Sequence, residues 1–248
     1  DSRFDGFMAT ADVVEELLVL DYMVQRAGGP SFLGEKVILG CMNRGGLAGV
    51  SFEMDDTMTG YTARAINDMG LDGAKLMFRL EPGSCESGKT IMYCANAINE
   101  LVDLQIPVFL EPLAVKYEDG KYRTLKEVEA LVKVVGVGAG LGGSTALTWL
   151  KIPYCAGYEK VARATTCPIL MLGGESTGDP TGILAEFAAG MRAGATVRGA
   201  LVGRNVSFPG SDDPRAVAVA VSEIVHAGAS AEEAVQILMN TRGQGMDD

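Results

Sequence analysis

Residues 147–174 read LTWLKIPYCAGYEKVARATTCPILMLGG. Two short apolar runs, 147–154 and 167–174, flank a stretch, 157–166, that carries charge at helical spacing. Runs that are apolar throughout, rather than alternating, suit strands buried on both faces. A strand, a helix-length connection and a second strand make a parallel crossover, because parallel neighbours cannot be joined by a tight turn.

The same rhythm continues in both directions. Further strands are expected at 4–10, 36–43, 72–80, 106–114 and 197–205, with helices at 11–27, 60–70, 89–105, 124–140, 180–195 and 213–228. Stop signals such as Ala27-Gly28-Gly29-Pro30 and Ala193-Gly194-Ala195 close helices. Seven strand-helix units are one short of an α/β TIM (β/α)8 barrel. The expectation is therefore such a barrel lacking its first strand, with 1–248 a single, N-terminally truncated domain that begins at about strand 2. An open doubly wound sheet is the alternative, since it needs no eighth strand.

Composition narrows the function classes. Of 248 residues 48% are apolar and 21% charged, enough for a full core. Lys and Arg number 21 against 32 Asp and Glu, for a net charge of −11, which repels a phosphodiester backbone. No apolar run reaches the about 20 residues of a membrane span, and no signal peptide opens the chain. The five cysteines (Cys41, Cys85, Cys94, Cys155, Cys167) include no C-x-x-C pair and read as reduced packing residues of a cytoplasmic protein. The lone histidine, His226, has no partners for a metal site or a triad and reads as a surface or capping residue. The expected chemistry thus uses Lys, Glu, Asp, Tyr, Arg and backbone amides, with no metal and no cofactor.

In a parallel barrel the working residues come from C-terminal strand ends and the loops after them. Those ends offer Thr10 and Asp12, Asn43 and Arg44, Lys75 and Arg79, Glu111, Lys151 and Tyr154, Gly173 to Ser176, and Gly203 to Asn205. Two lysines, Lys75 and Lys151, lie inside apolar strands. A buried ammonium is costly, so such lysines are paired or have a lowered pKa. A neutral amine attacks a carbonyl and forms a Schiff base that acts as an electron sink. Glu111 lies between the two lysines in sequence and suits charge balance or proton transfer. A buried Lys–Glu pair that only holds the fold together is the structural alternative.

The last two strands end in Leu172-Gly173-Gly174-Glu175-Ser176 and Val202-Gly203-Arg204-Asn205. Glycine lets backbone N–H groups approach an anion, and Arg204 adds a forked donor, so these ends suit a phosphate. Asn43-Arg44-Gly45-Gly46 ends another strand; Arg44 suits a second anionic group, or a pairing with Glu53, Asp55 or Asp56. The run Gly136–Gly143 invites a dinucleotide reading, but it opens no clear helix and fits a helix end better.

The stretch WLKIPYCAGYEKVARATTCPILMLGGESTGDP, continuing to GALVGRNVS, resembles the class I aldolases of the archaeal-type fructose-bisphosphate and deoxyribose-phosphate superfamily. The set Lys75, Glu111 and Lys151 is similar to that of the tagatose-bisphosphate and sulfofructose-phosphate branch, while MNRGGLAGVSFEMDD looks like an actinobacterial subfamily whose members are mostly named as aldolases. The resemblance implies that Lys151 forms the imine, that Glu111 and Lys75 move protons and position substrate, and that Gly173, Gly174, Ser176, Gly203 and Arg204 bind phosphate. Asn43 and Arg44 then face the distal end of the substrate. The superfamily's strand-five tyrosine acid is replaced here by Glu111-Pro112-Leu113, and its strand-one aspartate would precede Asp1. The implied activity is carbon–carbon cleavage or formation on a phosphorylated keto sugar or sugar acid, in a homo-oligomer. Two other readings are a non-catalytic sugar-phosphate sensor and a nicotinamide-dependent oxidoreductase.

Overall fold

In the computed structural model, residues 4–44 and 54–244 are described. All seven expected strands form: β1 (Gly6–Ala9), β2 (Val37–Cys41), β3 (Gly73–Leu80), β4 (Val108–Glu118), β6 (Thr148–Pro153), β7 (Ile169–Leu172) and β8 (Val197–Leu201). The eighth, β5 (Lys121–Thr124), folds back on the end of β4. The helices are α1 (Ala11–Arg26), α2 (Ala63–Met69), α3 (Cys85–Asp103), α4 (Val128–Ala139), α5 (Tyr158–Arg163), α6 (Thr181–Met191), α7 (Arg204–Ser207), α8 (Pro214–Ser222) and α9 (Ala231–Thr241).

Strand order is β1-β2-β3-β4-β6-β7-β8, with β5 paired to β4 alone. The order follows the sequence and never reverses, whereas a doubly wound sheet requires a switch point. The fold is α/β, of the TIM (β/α)8 class, and the open-sheet alternative is excluded.

The chain divides into two compact units, Asp1–Leu125 with Gly136–Leu150, and Lys126–Val135 with Lys151–Asp248. In the first, β3 is buried along six consecutive residues from Gly73 to Phe78, which is why its sequence does not alternate. Helix α3 packs on this strand. Its buried residues Cys94, Ala97, Ile98 and Leu101 fall at i, i+3, i+4 and i+7, one stripe of a 3.6-residue period. Pairing of β4 with β6 ends at Leu110–Leu150, two residues before Pro112, which has no N–H to extend a ladder. In the second unit β7 pairs with β8 in parallel, and the fully buried Leu184 and Phe187 of α6 and Leu238 of α9 supply core.

Some expectations change and others hold. Strand β4 runs on past Ala114 to Glu118 and turns through Asp119 (φ 53°) and Gly120 (φ 79°) into β5. These two left-handed residues make the two-residue hairpin whose twist suits paired strands. Helix α9 begins with a capping box, in which the Ser230 and Glu233 side chains each bond the other's backbone N–H. Gly136 to Ala139 finish α4, and the Gly140 N–H bonds back to the Val137 carbonyl, so the glycine run closes a helix where a dinucleotide fingerprint must open one. His226 is exposed in a π-helical turn, Glu223–Ala227, at the end of α8. None of the five cysteines is in a disulfide; Cys94 and Cys167 are buried, but Cys85 is exposed, so packing does not explain it. Among the described residues no helix is long and apolar enough to cross a membrane.

Candidate active site

In the first unit the candidate residues lie just beyond β2 (Asn43 and Arg44), in the first half of β3 and of β4 (Lys75 and Glu111) and near the end of β3 (Arg79). Lys75 and Glu111 project from neighbouring strands, where the register sets Lys75 beside Phe109 and Met77 beside Glu111. Their side chains meet diagonally, Nζ to Oε2 at 3.2 Å, with the residues 6% and 8% exposed. Phe109 stacks on Trp149 at 5.8 Å, with ring planes 18° apart. Leu110 of β4 is paired with Leu150 of β6.

Asn43 is buried and uses its amide as if it were backbone. Its Oδ1 accepts from the Met77 N–H at 2.9 Å, and its Nδ2 donates to the Met77 carbonyl at 2.6 Å and the Asp56 carbonyl at 3.1 Å. The side chain thus ties the end of β2 to β3, and these bonds leave it a scaffold for the residues around it. Arg44 follows in a left-handed conformation, φ 67°. Its Nη1 lies 3.3 Å from Oδ1 of Asp56, and Arg79 Nη1 lies 2.7 Å from the same oxygen. Of the acidic partners expected for Arg44, Asp56 is engaged; Glu53, with most of the MNRGGLAGVSFEMDD segment, lies outside the described residues. Burial pushes the Asp56 carboxyl above the ordinary carboxylate range, against the pull of Arg79, Arg44 and Lys75.

In the second unit Lys151 is 8% exposed, and Ile152 after it is fully buried. The Tyr158 hydroxyl donates to the Ile152 carbonyl at 3.3 Å, and its ring lies 5.4 Å from Tyr154. Gly173 ends β7, where its carbonyl accepts from Asn205 Nδ2 at 2.7 Å, and Gly174 is left-handed at φ 66°. Gly203 leads into α7, and Arg204 Nη1 lies 3.4 Å from Oε1 of Glu175, both side chains mostly exposed. Such an exposed pair is worth at most about 1 kcal/mol, so an incoming phosphate can displace it. The Ser176 hydroxyl proton goes to the Phe208 carbonyl at 2.6 Å, leaving its oxygen only as an acceptor, used by the Gly178 N–H at 3.2 Å. A cavity of about 720 Å³ opens here, lined by Ser176, Phe208, Pro209, Gly210, Asp212 and Pro214 among others.

The structure therefore joins Lys75 with Glu111, and Gly173 with the residues around Gly203. It singles out Asp56, which the sequence offered only as one of several acids near Arg44, and gives Asn205, at the end of the Gly203 to Asn205 stretch, the role of fixing the Gly173 turn through its amide.

Parallel strands in sequential order with helices between them define a protein of the TIM-barrel class. Within it, the model of the family described as Cgl0159-like matches residues 1–224, and the chain belongs to that family. It is similar to the crystal structure of Cgl0159 from Corynebacterium glutamicum, with 34% identity, a TM-score of 0.81, and coverage of 91% of this chain and 72% of that one. An archaeal fructose-1,6-bisphosphate aldolase, solved with its catalytic Lys bound to a carbinolamine intermediate, shares the fold at 20% identity and TM-score 0.65, covering 90% and 78% of the two chains. An uncharacterized aldolase of Saccharolobus solfataricus is 29% identical over 154 residues, 61% of this chain and 53% of that protein. The chain thus spans about half the length of the curated relative it matches.

Proposed function

We propose that the chain is a class I aldolase acting on a phosphorylated keto sugar or sugar acid. The observation that carries this is Lys151, an amine held 8% exposed in the middle of β6 with fully buried neighbours on either side. A lysine inside a barrel strand is the group of this chain suited to add to a ketone and form an imine.

In this reading the Lys151 amine adds to the substrate ketone, and loss of water gives an iminium. The carbon–carbon bond breaks toward that iminium and leaves an enamine, while the departing hydroxyl gives its proton to Glu111 and becomes the aldehyde. Lys75, 3.2 Å from Glu111, holds its carboxylate in place and positions the substrate. Protonation and hydrolysis of the enamine return the lysine. The phosphate rests on the amides near Gly173, Gly174 and Gly203 and on Arg204, which fixes the ketone against the amine; such positioning is worth on the order of several kcal/mol. Arg44 meets the far end of the substrate.

Borohydride reduction in the presence of dihydroxyacetone phosphate tests the reading. The expected product is a stable adduct on the peptide containing Lys151, absent in Lys151→Met. Failure to trap any lysine in the full-length protein overturns it.

A further inference from the structure

Phe208 is the most exposed large apolar side chain among the described residues, 71% open to solvent. Its backbone is tied on both sides. The N–H donates to the Arg204 carbonyl at 2.9 Å, and the carbonyl accepts the Ser176 hydroxyl at 2.6 Å. The chain is thus fixed while the ring stands outside it. With Pro209 and Pro214 the ring lines the cavity of about 720 Å³, a volume within the range of about 300–1,000 Å³ typical of small-molecule sites.

Two loops of the second unit build this cavity, 173–180 after β7 and 208–213 between α7 and α8, and their backbones touch. A β-carbon on Gly210 would stand 2.1 Å from the Gly178 carbonyl oxygen, so only glycine permits the approach. Backbone contact at Gly178 and the Ser176–Phe208 bond leave the cavity preformed, which spares a ligand the cost of ordering the loops.

The polar lining is one-sided. A carbonyl has no proton to give, so Ser176 commits its hydroxyl proton to Phe208 and Thr177 commits its own to the Asp179 carbonyl at 3.2 Å. Ser176 Oγ accepts from the Gly178 N–H and keeps one more lone pair, while Thr177 Oγ1 keeps both. The Asp212 carboxylate only accepts, and its charge is matched by Arg242, whose Nε and Nη2 reach its two oxygens at 2.5 Å and 2.9 Å. Three lining side chains therefore offer acceptors, with no spare charge among them. An anion brings chiefly acceptors of its own and gains little from them, whereas neutral hydroxyl groups bring the missing donors.

We infer that this cavity binds a neutral carbohydrate ring, with its C–H face on Phe208 and its hydroxyl groups donating to Ser176, Thr177 and Asp212. Oxygen substituents leave the ring C–H groups partly positive, and the face of an aromatic ring is negative. The site goes beyond the lyase reading and uses no part of Lys151.

Amide NMR titration of the isotope-labelled full chain with methyl β-glucopyranoside at millimolar concentration tests the inference. The expected result is saturable shifts confined to residues 176–178 and 207–214. The per-O-methylated glucoside, which keeps the ring and loses the donors, should bind about tenfold more weakly. Phe208→Ala and Thr177→Val should each weaken glucoside binding about tenfold, and Phe208→Ala should leave distant signals in place because its ring faces solvent. No shift with the glucoside, or equal binding of its methylated form, overturns the inference. Adenosine shifting the same amides at lower concentration would make this a site for a heteroaromatic base, and inorganic phosphate displacing the glucoside would make it an anion site; either result also overturns it. None of these probes carries a ketone, so failure of borohydride trapping at Lys151 leaves glucoside binding standing, and a silent titration leaves the lyase reading standing.

Discussion

Lys75 and Glu111 close an ion pair of 3.2 Å across neighbouring strands, with 7% and 11% of their side chains exposed. Removing one partner of such a pair strands a charge in a dry place, which costs far more than removing both. Lys75→Met should therefore lower the unfolding free energy by about 3 kcal/mol, and Lys75→Met with Glu111→Leu should recover most of that. Equilibrium urea denaturation of the three proteins decides it. A single-mutant loss below about 1 kcal/mol would mean that water reaches the pair.

That pair also shows what the sequence makes legible. A lysine inside Gly73-Ala74-Lys75-Leu76-Met77-Phe78 violates the local pattern, and so does Lys151 among Trp149, Leu150 and Ile152. Anomalies inside apolar strands stand out because their surroundings are uniform. Asp56 does not stand out. It sits in Met54-Asp55-Asp56-Thr57, where two adjacent carboxylates look alike and only the tertiary structure seals one between Arg44 and Arg79. The strands were readable from burial on both faces. The end of β4 was not, because Lys116, Tyr117 and Glu118 leave the core and resemble a loop; the signal that could have found the hairpin is the Asp119-Gly120 dipeptide.

The hairpin gives a second prediction. Gly120, at φ 79°, tolerates no β-carbon without strain, so Gly120→Ala should cost about 1 kcal/mol. The nearby Arg123–Asp119 ion pair is mostly exposed, and Arg123→Ala should cost under about 0.5 kcal/mol. Chemical denaturation gives both values. The Tyr117–Tyr122 ring contact at 5.1 Å offers a local readout, since near-ultraviolet dichroism should weaken in the glycine variant and not in the arginine variant.

Burial pushes the Cys94 thiol up to about 12, from an ordinary value of 9.0. Below that ordinary value the thiol is protonated in both folded and unfolded chains and adds no pH dependence. Between 9.0 and about 12 the unfolded thiol ionises while the folded one keeps its proton. The native state then binds more protons, so stability falls as pH rises, by at most about 1.4 kcal/mol per pH unit from this group. Cys94→Ala should lose stability less steeply than the parent above pH 9.0 in denaturation series. At neutral pH, iodoacetamide should label exposed Cys85 in the native protein and reach Cys94 only after unfolding.

Gly173 and Gly203 separate packing from ligand approach. A β-carbon on Gly173 would stand 2.7 Å from Val202 Cγ2 and 2.9 Å from Asn205 Nδ2, and Asn205 cannot yield without giving up its bond to the Gly173 carbonyl. Gly173→Ala should therefore cost about 2 kcal/mol of stability as well as affinity. On Gly203 the same atom would meet nothing within 4 Å, and the backbone there is not left-handed. Gly203→Ala should leave stability within about 0.5 kcal/mol of the parent. If the amides around it cradle a phosphate, the new methyl group stands where the anion must come, and affinity for dihydroxyacetone phosphate should fall about tenfold in calorimetric titration. An unchanged affinity in Gly203→Ala would move the phosphate away from this strand end, since no change in the fold could then be masking a loss.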